Sequence, residues 1–287
     1  MGYNRPITIG TIDYANAWPL FHQLESFAGH VNFERFSRYP AELNRLLQAG
    51  ELDISAISSY SYGLHSESYM LLPHLSVGST GPVHSILLFL KEPIASRRPS
   101  TIAVTSTSAT SVNLLKIMME MYYDCSPAYV TTEPRLDEML RDADAALLIG
   151  DPAIQASWND QGLHVIDLGR LWNEWTGLGM TYAVVAARKE AVQAVPEAVQ
   201  AAYAAMLQCK RHNQNHLDPL IRQACKQLGG DAAYWNKYFH SLQYDFGSKL
   251  QEGLALYFRY AKQLGLLARD VEFTFFEDHQ SAQKVKE

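Results

Sequence analysis

Five small residues in a row, Thr107, Ser108, Ala109, Thr110 and Ser111, run straight into an apolar segment of helical period that begins at Val112. A helix start of this kind favours an anion, because free backbone N–H groups, hydroxyls and the helix dipole all point one way. By itself the run is equally a plain cap, with Ser108 or Thr110 accepting from the backbone of the first turn. A second pair of hydroxyls, Ser58-Ser59, closes an apolar run in the first half of the chain. Together the two sets point to a carboxylate or phosphate held by neutral donors. Asn16, in Asp13-Tyr14-Ala15-Asn16-Ala17-Trp18-Pro19, can present its amide to such a ligand or form an Asx-turn. Asp151, after the apolar run 145–149, can bind a substrate hydroxyl, act as an acid, or cap the helix that follows.

Other chemistry is poorly represented. There is no P-loop, no Gly-x-Gly-x-x-Gly dinucleotide fingerprint and no Gly-x-Ser-x-Gly nucleophile elbow. His212 and His216 stand at a spacing that can hold a metal, but Asn213-Gln214-Asn215 between them supplies no acidic partner, so they read as a solvated helix face. Cys125, Cys209 and Cys225 are odd in number and far apart, which fits reduced thiols rather than a disulfide framework or a metal site. His22 and His84 could face a cleft without an evident partner, and Trp18, Trp172 and Trp175 read as core.

Strand ends and helix starts must position these groups, and the hydrophobic pattern supplies them. Strands are expected at 7–12, 31–36, 52–57, 101–104 and 145–149, and helices at 17–24, 40–49, 112–122 and 134–140. In both halves a helix is followed by Asp, an apolar strand and then small polar residues, which predicts two α/β lobes of similar plan, each with a parallel sheet between helices. Extended segments at 83–90 and 180–187 are expected to cross between the lobes. From Pro196 the chain is nearly all helix, with starts at Pro196 and Asp218-Pro219, a last helix over 246–264 and a final strand at 271–276. Ligands in such folds sit at the carboxyl ends of the strands, between the lobes.

The length of 287 residues fits about two domains at roughly 150 residues each. A formal charge of -6 argues against a nucleic-acid partner, which needs a basic surface. It does not exclude an anionic ligand held by hydroxyls and helix N-termini. The longest apolar stretches are too short for a bilayer, so no membrane partner is expected. The start Met1-Gly2-Tyr3-Asn4-Arg5-Pro6 has no secretory pattern, which fits an unexported chain or a mature form with its signal removed.

Six segments occur in an order that resembles one family. They are Tyr14-Ala15-Asn16-Ala17-Trp18-Pro19-Leu20; Gly50-Glu51-Leu52-Asp53 with Ile57-Ser58-Ser59; and Gly81-Pro82-Val83-His84-Ser85-Ile86-Leu87-Leu88-Phe89 after Leu72-Pro73. Then come Ser108-Ala109-Thr110-Ser111-Val112, Asp144-Ala145-Ala146-Leu147-Leu148-Ile149-Gly150-Asp151, and Asp167-Leu168-Gly169 with Trp172 and Thr176-Gly177. The series resembles the chorismate dehydratase family of the futalosine route to menaquinone, in collinear order from Ile7 to Ala187. Two departures from the family pattern stand out: Gly179-Met180 stand where a Pro and an aromatic are usual, and His84 replaces another residue.

The resemblance implies an α/β, two-lobed type II periplasmic-binding-protein fold, each lobe a mixed sheet flanked by helices, with a helical C-terminal segment. It implies lobes of 1–88 with 183–287 and of 89–182, and a ligand cleft between them. The implied enzyme is a cytoplasmic hydro-lyase that removes water from chorismate, a dicarboxylate, to give 3-[(1-carboxyvinyl)oxy]benzoate without metal or organic cofactor, as a monomer or weak homodimer. In this reading Thr107, Ser108, Ala109, Thr110 and Ser111 bind one carboxylate. Ser58, Ser59 and Ser85 bind the other carboxylate or the ether side chain, and Thr176 joins the binding set. Asn16 holds the reacting part of the ring or its hydroxyl, while a substrate carboxylate oriented by Asn16 takes the ring proton, with Asp151 as the rival acid or base. Two other readings stand beside it: a non-catalytic solute-binding protein, and the related naphthoate-forming enzyme of the same pathway.

Overall fold

Apolar, β-branched runs become buried strands wherever both faces are covered, and β1 (Ile7–Ile12) is buried along its whole length. The computed structural model describes residues 5–29, 31–159 and 162–277; the ends of the expected first lobe, 1–4 and 278–287, lie outside the described residues. After β1 come a 3-10 turn at Ala15–Ala17, the short helix α1 (Trp18–Phe21) and a second 3-10 turn at Leu24–Phe27. The single helix expected over 17–24 is therefore broken, because Gln23 adopts a left-handed φ of 56° that no α-helix accommodates.

The first half continues with β2 (Phe33–Arg38), α2 (Pro40–Gln48), β3 (Ile54–Ser58), α3 (Ser59–His65) and β4 (Tyr69–Ser79). Next come β5 (Ile86–Leu90), β6 (Thr101–Thr105), α4 (Ala109–Ile117) with a π turn at Met118–Tyr122, β7 (Ala128–Thr132) and α5 (Leu136–Asp142). They are followed by β8 (Ala145–Ile149), α6 (Asp151–Ser157), β9 (His164–Asp167), α7 (Leu168–Thr176) and β10 (Met180–Arg188). The remainder is helical: α8 (Lys189–Ala194), α9 (Pro196–Asn215), α10 (Asp218–Leu228), α11 (Ala232–Ser241) and α12 (Ser248–Gln263). Among the described residues no helix is long and apolar enough to cross a membrane.

The strands form two sheets of one plan, ordered β2-β1-β3-β10-β4 and β7-β6-β8-β5-β9. In each, four of the five strands run in one direction, and β10 or β5 runs antiparallel between two of them. The expectation of parallel sheets is corrected on this point, because the strands in the expected crossing segments enter their sheets in the reverse direction. The strand expected at 271–276 reduces to one bridge, Leu71 to Phe275, with the chain hydrogen-bonded to Leu71 from Thr274 and Phe276.

Two packing features hold this frame. Asp53 is wholly buried just before β3, where it accepts from the Thr8 N–H and hydroxyl and pairs with Arg5 and Arg188, so it fastens β1, β3 and β10 together. At the start of β10, α12 lies directly on the chain: a Cβ on Gly253 would run into the Gly179 carbonyl oxygen, which also accepts from the Trp172 indole N–H. A Cβ on Gly179 would itself come within 2.8 Å of Leu250 and Thr80, so a ring at this position has no room here and the departure at Gly179 is a packing requirement. Gly253→Ala is expected to lower stability by about 1–3 kcal/mol through overpacking, read as a lower urea midpoint with an unchanged m-value.

Candidate active site between the two sheets

β8 delivers its chain to the seam between the sheets through Gly150, whose φ of 69° and ψ of -147° favour a residue without a side chain. A Cβ there would also stand 2.8 Å from the Tyr14 ring, which comes from the turn after β1. Asp151 follows, and its carboxylate crosses the seam to accept the Ala15 N–H at 3.1 and 3.4 Å. It does not cap α6, the alternative its position allowed, because Gly150 occupies the cap. Burial pushes the Asp151 carboxyl up to about 7; the Ala15 N–H pulls it down and the charge of Asp13 adds to the rise. Adjacent Asn16 holds a buried side-chain oxygen, Oδ1, with no hydrogen-bond partner. An acceptor left unmet in this way costs about 1–3 kcal/mol, and it is recovered only when a donor arrives. A cleft of about 560 Å³ opens beside Asp151, lined also by Asp13, Tyr14, Tyr39, Ser106 and Thr107.

The hydroxyl runs divide between ligand-ready and committed groups. α4 begins at Ala109, three residues before the expected start, so Thr110 and Ser111 lie in its first turn and Ser108 is at the cap position without a side-chain cap bond. Ser108 and Ser111 face each other, with their hydroxyls 3.3 Å apart. Thr107 pairs with Thr105 at 2.9 Å. Thr110 is fully buried and joins the two halves: its hydroxyl accepts the Tyr60 N–H of α3, and its carbonyl accepts the Tyr257 hydroxyl of α12.

Ser58 caps α3, accepting from Ser61 and from the Asn44 amide, and Ser59 donates to the Thr181 carbonyl. Thr176 donates to the Trp172 carbonyl and accepts from Leu178 where α7 ends. The Ser59 and Thr176 hydroxyls donate to the frame, Ser58 Oγ accepts twice from it and keeps its own O–H, and none of the three is bonded to the group around Asp151. Ser85 is: its carbonyl accepts the Gly150 N–H at 2.7 Å, while its buried hydroxyl has only a long bond of 3.3 Å to Val83.

His84 sits in the chain leading into β5 at a left-handed φ of 61°. Asp167 holds this segment by accepting the Val83 and His84 N–H groups as well as that of Arg170. His212 and His216 stack on one another at 4.4 Å, and among the described residues no group of three or more His, Cys, Asp and Glu gathers as a metal site. The sequence reading missed α11, whose Tyr234 and Tyr238 lie close enough to Asp151 for its charge to raise their hydroxyl pKa values. Aromatics four apart on a helix look the same in a sequence whether they fill a core or line a site.

Two sheets of one plan meeting at their strand ends over a polar seam define a two-lobed small-molecule-binding fold. Accordingly the structure is similar to the periplasmic aliphatic sulphonate binding protein of Escherichia coli, with a TM-score of 0.65 at 16% identity over 95% of this chain and 94% of that one. A family model described as menaquinone biosynthesis matches residues 7–263. The chain is 33% identical to the chorismate dehydratase of Thermus thermophilus, over 91% of this chain and 96% of the relative. It is 26% identical to the 1,4-dihydroxy-6-naphtoate synthase of the same organism, over 79% and 82%. The chain belongs to the chorismate dehydratase family of menaquinone biosynthesis and is an enzyme of that route.

Two outcomes test the seam. Gly150→Ala is expected to separate Tyr14 from β8 and abolish ligand binding, read by calorimetric titration with chorismate, while the far-ultraviolet circular dichroism stays that of the wild type. Folding raises the Asp151 pKa from 3.8 to about 7, so the native protein keeps a proton that the unfolded chain has lost. The stability this gives is complete below about pH 4 and is lost as pH rises to about 7, with a ceiling of about 4 kcal/mol. Denaturant titrations from pH 5 to 8 are expected to show this decline, and Asp151→Asn is expected to remove it.

Proposed function

We propose that this protein is a cytoplasmic hydro-lyase that removes water from chorismate to give 3-[(1-carboxyvinyl)oxy]benzoate. The observation that carries the reading is Asp151, a buried carboxyl whose pKa is raised to about 7, placed at the seam beside the unpartnered Asn16 Oδ1. The 33% identity to a chorismate dehydratase over most of both chains supports the choice of substrate. We take the lobes as 1–88 with 183–287 and 89–182, with the ligand between them.

In this reaction the hydrogen on the ring carbon that bears the ether leaves as a proton, and its electron pair enters the ring. The neighbouring C–O bond breaks and the ring becomes aromatic. The enzyme therefore needs to orient the substrate, exclude water and place two protons rather than drive an uphill step. The carboxylate of the substrate's own ether side chain takes the ring proton. Asp151 gives a proton to the departing hydroxyl, which leaves as water, and is reprotonated from solvent as the substrate carboxyl releases its proton. Asn16 Oδ1 accepts the hydrogen of the ring hydroxyl and sets its direction toward Asp151. Ser108 and Ser111, with the free N–H groups at the start of α4, hold the ring carboxylate, and Ser85 holds the other. No Lys or Arg is among the described residues lining the cleft, while Asp13, Glu42 and Glu133 are, so hydroxyl, amide and backbone N–H donors must hold the dianion against like charge.

Purified protein incubated with chorismate is expected to form the benzoate product, identified by chromatography and absorbance. Intact chorismate alongside tight binding of another solute would favour the solute-binding reading. Asp151→Asn is expected to lower kcat by about 10²–10⁴-fold with chorismate affinity retained. Asn16→Leu is expected to lose at least about tenfold in kcat/KM, the worth of one hydrogen bond in a dry site. Because the acid must carry its proton, kcat is expected to fall as pH rises through about 7, and this limb is expected to vanish in Asp151→Asn.

A further inference from the structure

Helix α11, which belongs to neither sheet, brings Tyr234 and Tyr238 near Asp151. It is anchored at its start by Asp231, whose carboxylate accepts the Tyr234 N–H at 2.7 Å, and by the Trp235 indole, which donates to the Gly229 carbonyl. The chain just after it bridges to the first sheet through Gln243 and Gly78. On its other side, Trp158, next to the end of α6, packs edge-on against Tyr234 and Trp235. The helix is thus fastened to both halves of the molecule.

Tyr238 lies on this helix with 1% of its surface exposed, and its hydroxyl has no hydrogen-bond partner. The Ser85 side chain faces that hydroxyl without closing a bond of good geometry, and Asp151 is near enough for its charge to act on it. Burial holds the phenol in its neutral, donating form at any working pH. The hydroxyl is therefore an unused donor, walled off from water, beside the two groups that the dehydration reading places at the substrate. It shares that condition with the unmet Asn16 acceptor.

We propose that Tyr238 is a substrate-binding residue, whose hydroxyl joins Ser85 in donating to a carboxylate of the bound dianion. This rests on the reading of the protein as a chorismate dehydratase. It makes the helical C-terminal segment part of the site, and gives the second carboxylate two neutral donors.

The test is Tyr238→Phe in the full chain, which removes one oxygen and keeps the ring. The apo protein is expected to melt at or above the wild-type temperature, because an unpartnered hydroxyl is lost. The KM for chorismate is expected to rise roughly ten- to hundredfold, with a smaller change in kcat, the worth of one hydrogen bond to a charged group. A KM within twofold of wild type overturns the proposal. A KM rise that comes with a lowered apo melting temperature makes the hydroxyl a structural partner and equally overturns it. Should Tyr238→Phe fail to fold, Ser85→Ala must show the same KM rise, and an unchanged KM there overturns the shared carboxylate site. Wild-type protein inert toward chorismate overturns the dehydratase reading itself, an outcome separate from an active wild type with an unaffected variant.

Discussion

A carboxyl group taken out of water keeps its charge only where enough donors or cations surround it. At the seam of this molecule Asp151 accepts a single backbone N–H, that of Ala15, and Asp13 stands near with the same sign of charge. The balance goes to the proton. The rest of the local structure follows from keeping that group where it is: a fully buried β8 leading to it, a glycine that lets the chain turn under the Tyr14 ring, and a 3-10 turn after β1 whose first N–H meets it. Moving any of these would admit water, restore the charge and remove the acid.

The same economy of charge explains the polar lining. A dianion can be bound by cations, but each buried cation would then need its own partner whenever the site is empty. Hydroxyls, amides and backbone N–H groups carry no such debt and can be left unmatched at a cost of about 1–3 kcal/mol each. The Asn16 and Tyr238 side chains are in that condition. Carboxylates stand at the cleft, Asp13, Glu42 and Glu133 beside Asp151, whereas the buried ion pairs lie elsewhere. Asp53 with Arg5 and Arg188 lies against the first sheet, where fixed geometry rather than exchangeable binding is needed. This is why a net charge of -6 says little about the ligand.

Much of the frame was legible in the residues. The runs at 7–12 and 145–149 were strands because nothing but a two-sided core accepts them, and α2 announced itself by Leu43, Leu46 and Leu47 on one face. β4 was not legible, since Pro73, a left-handed His74 and two bulges against β10 destroy its alternation. Of the residues expected to bind or react, Asn16, Ser85 and Asp151 lie close together at the seam. The hydroxyls of Ser58, Ser59 and Thr176 could not be told from theirs, because whether a hydroxyl is spent depends on which distant backbone group stops beside it. Tyr238 was hidden for a related reason: its ring behaves as core, and only the tip of the side chain differs.

The order of strands in the first sheet also governs how this chain can be assembled on the ribosome. β4 has no neighbour in that sheet except β10, which lies about a hundred residues further on. The second sheet, by contrast, is built entirely from the stretch between them and can form as soon as it emerges. Until β10 arrives, β3 and β4 each present an open edge, the kind of surface that invites pairing with another chain. Long-range pairing of this sort is slow. During synthesis, therefore, the early strands of this protein must wait, with apolar surface uncovered, for a strand made after the second sheet is complete.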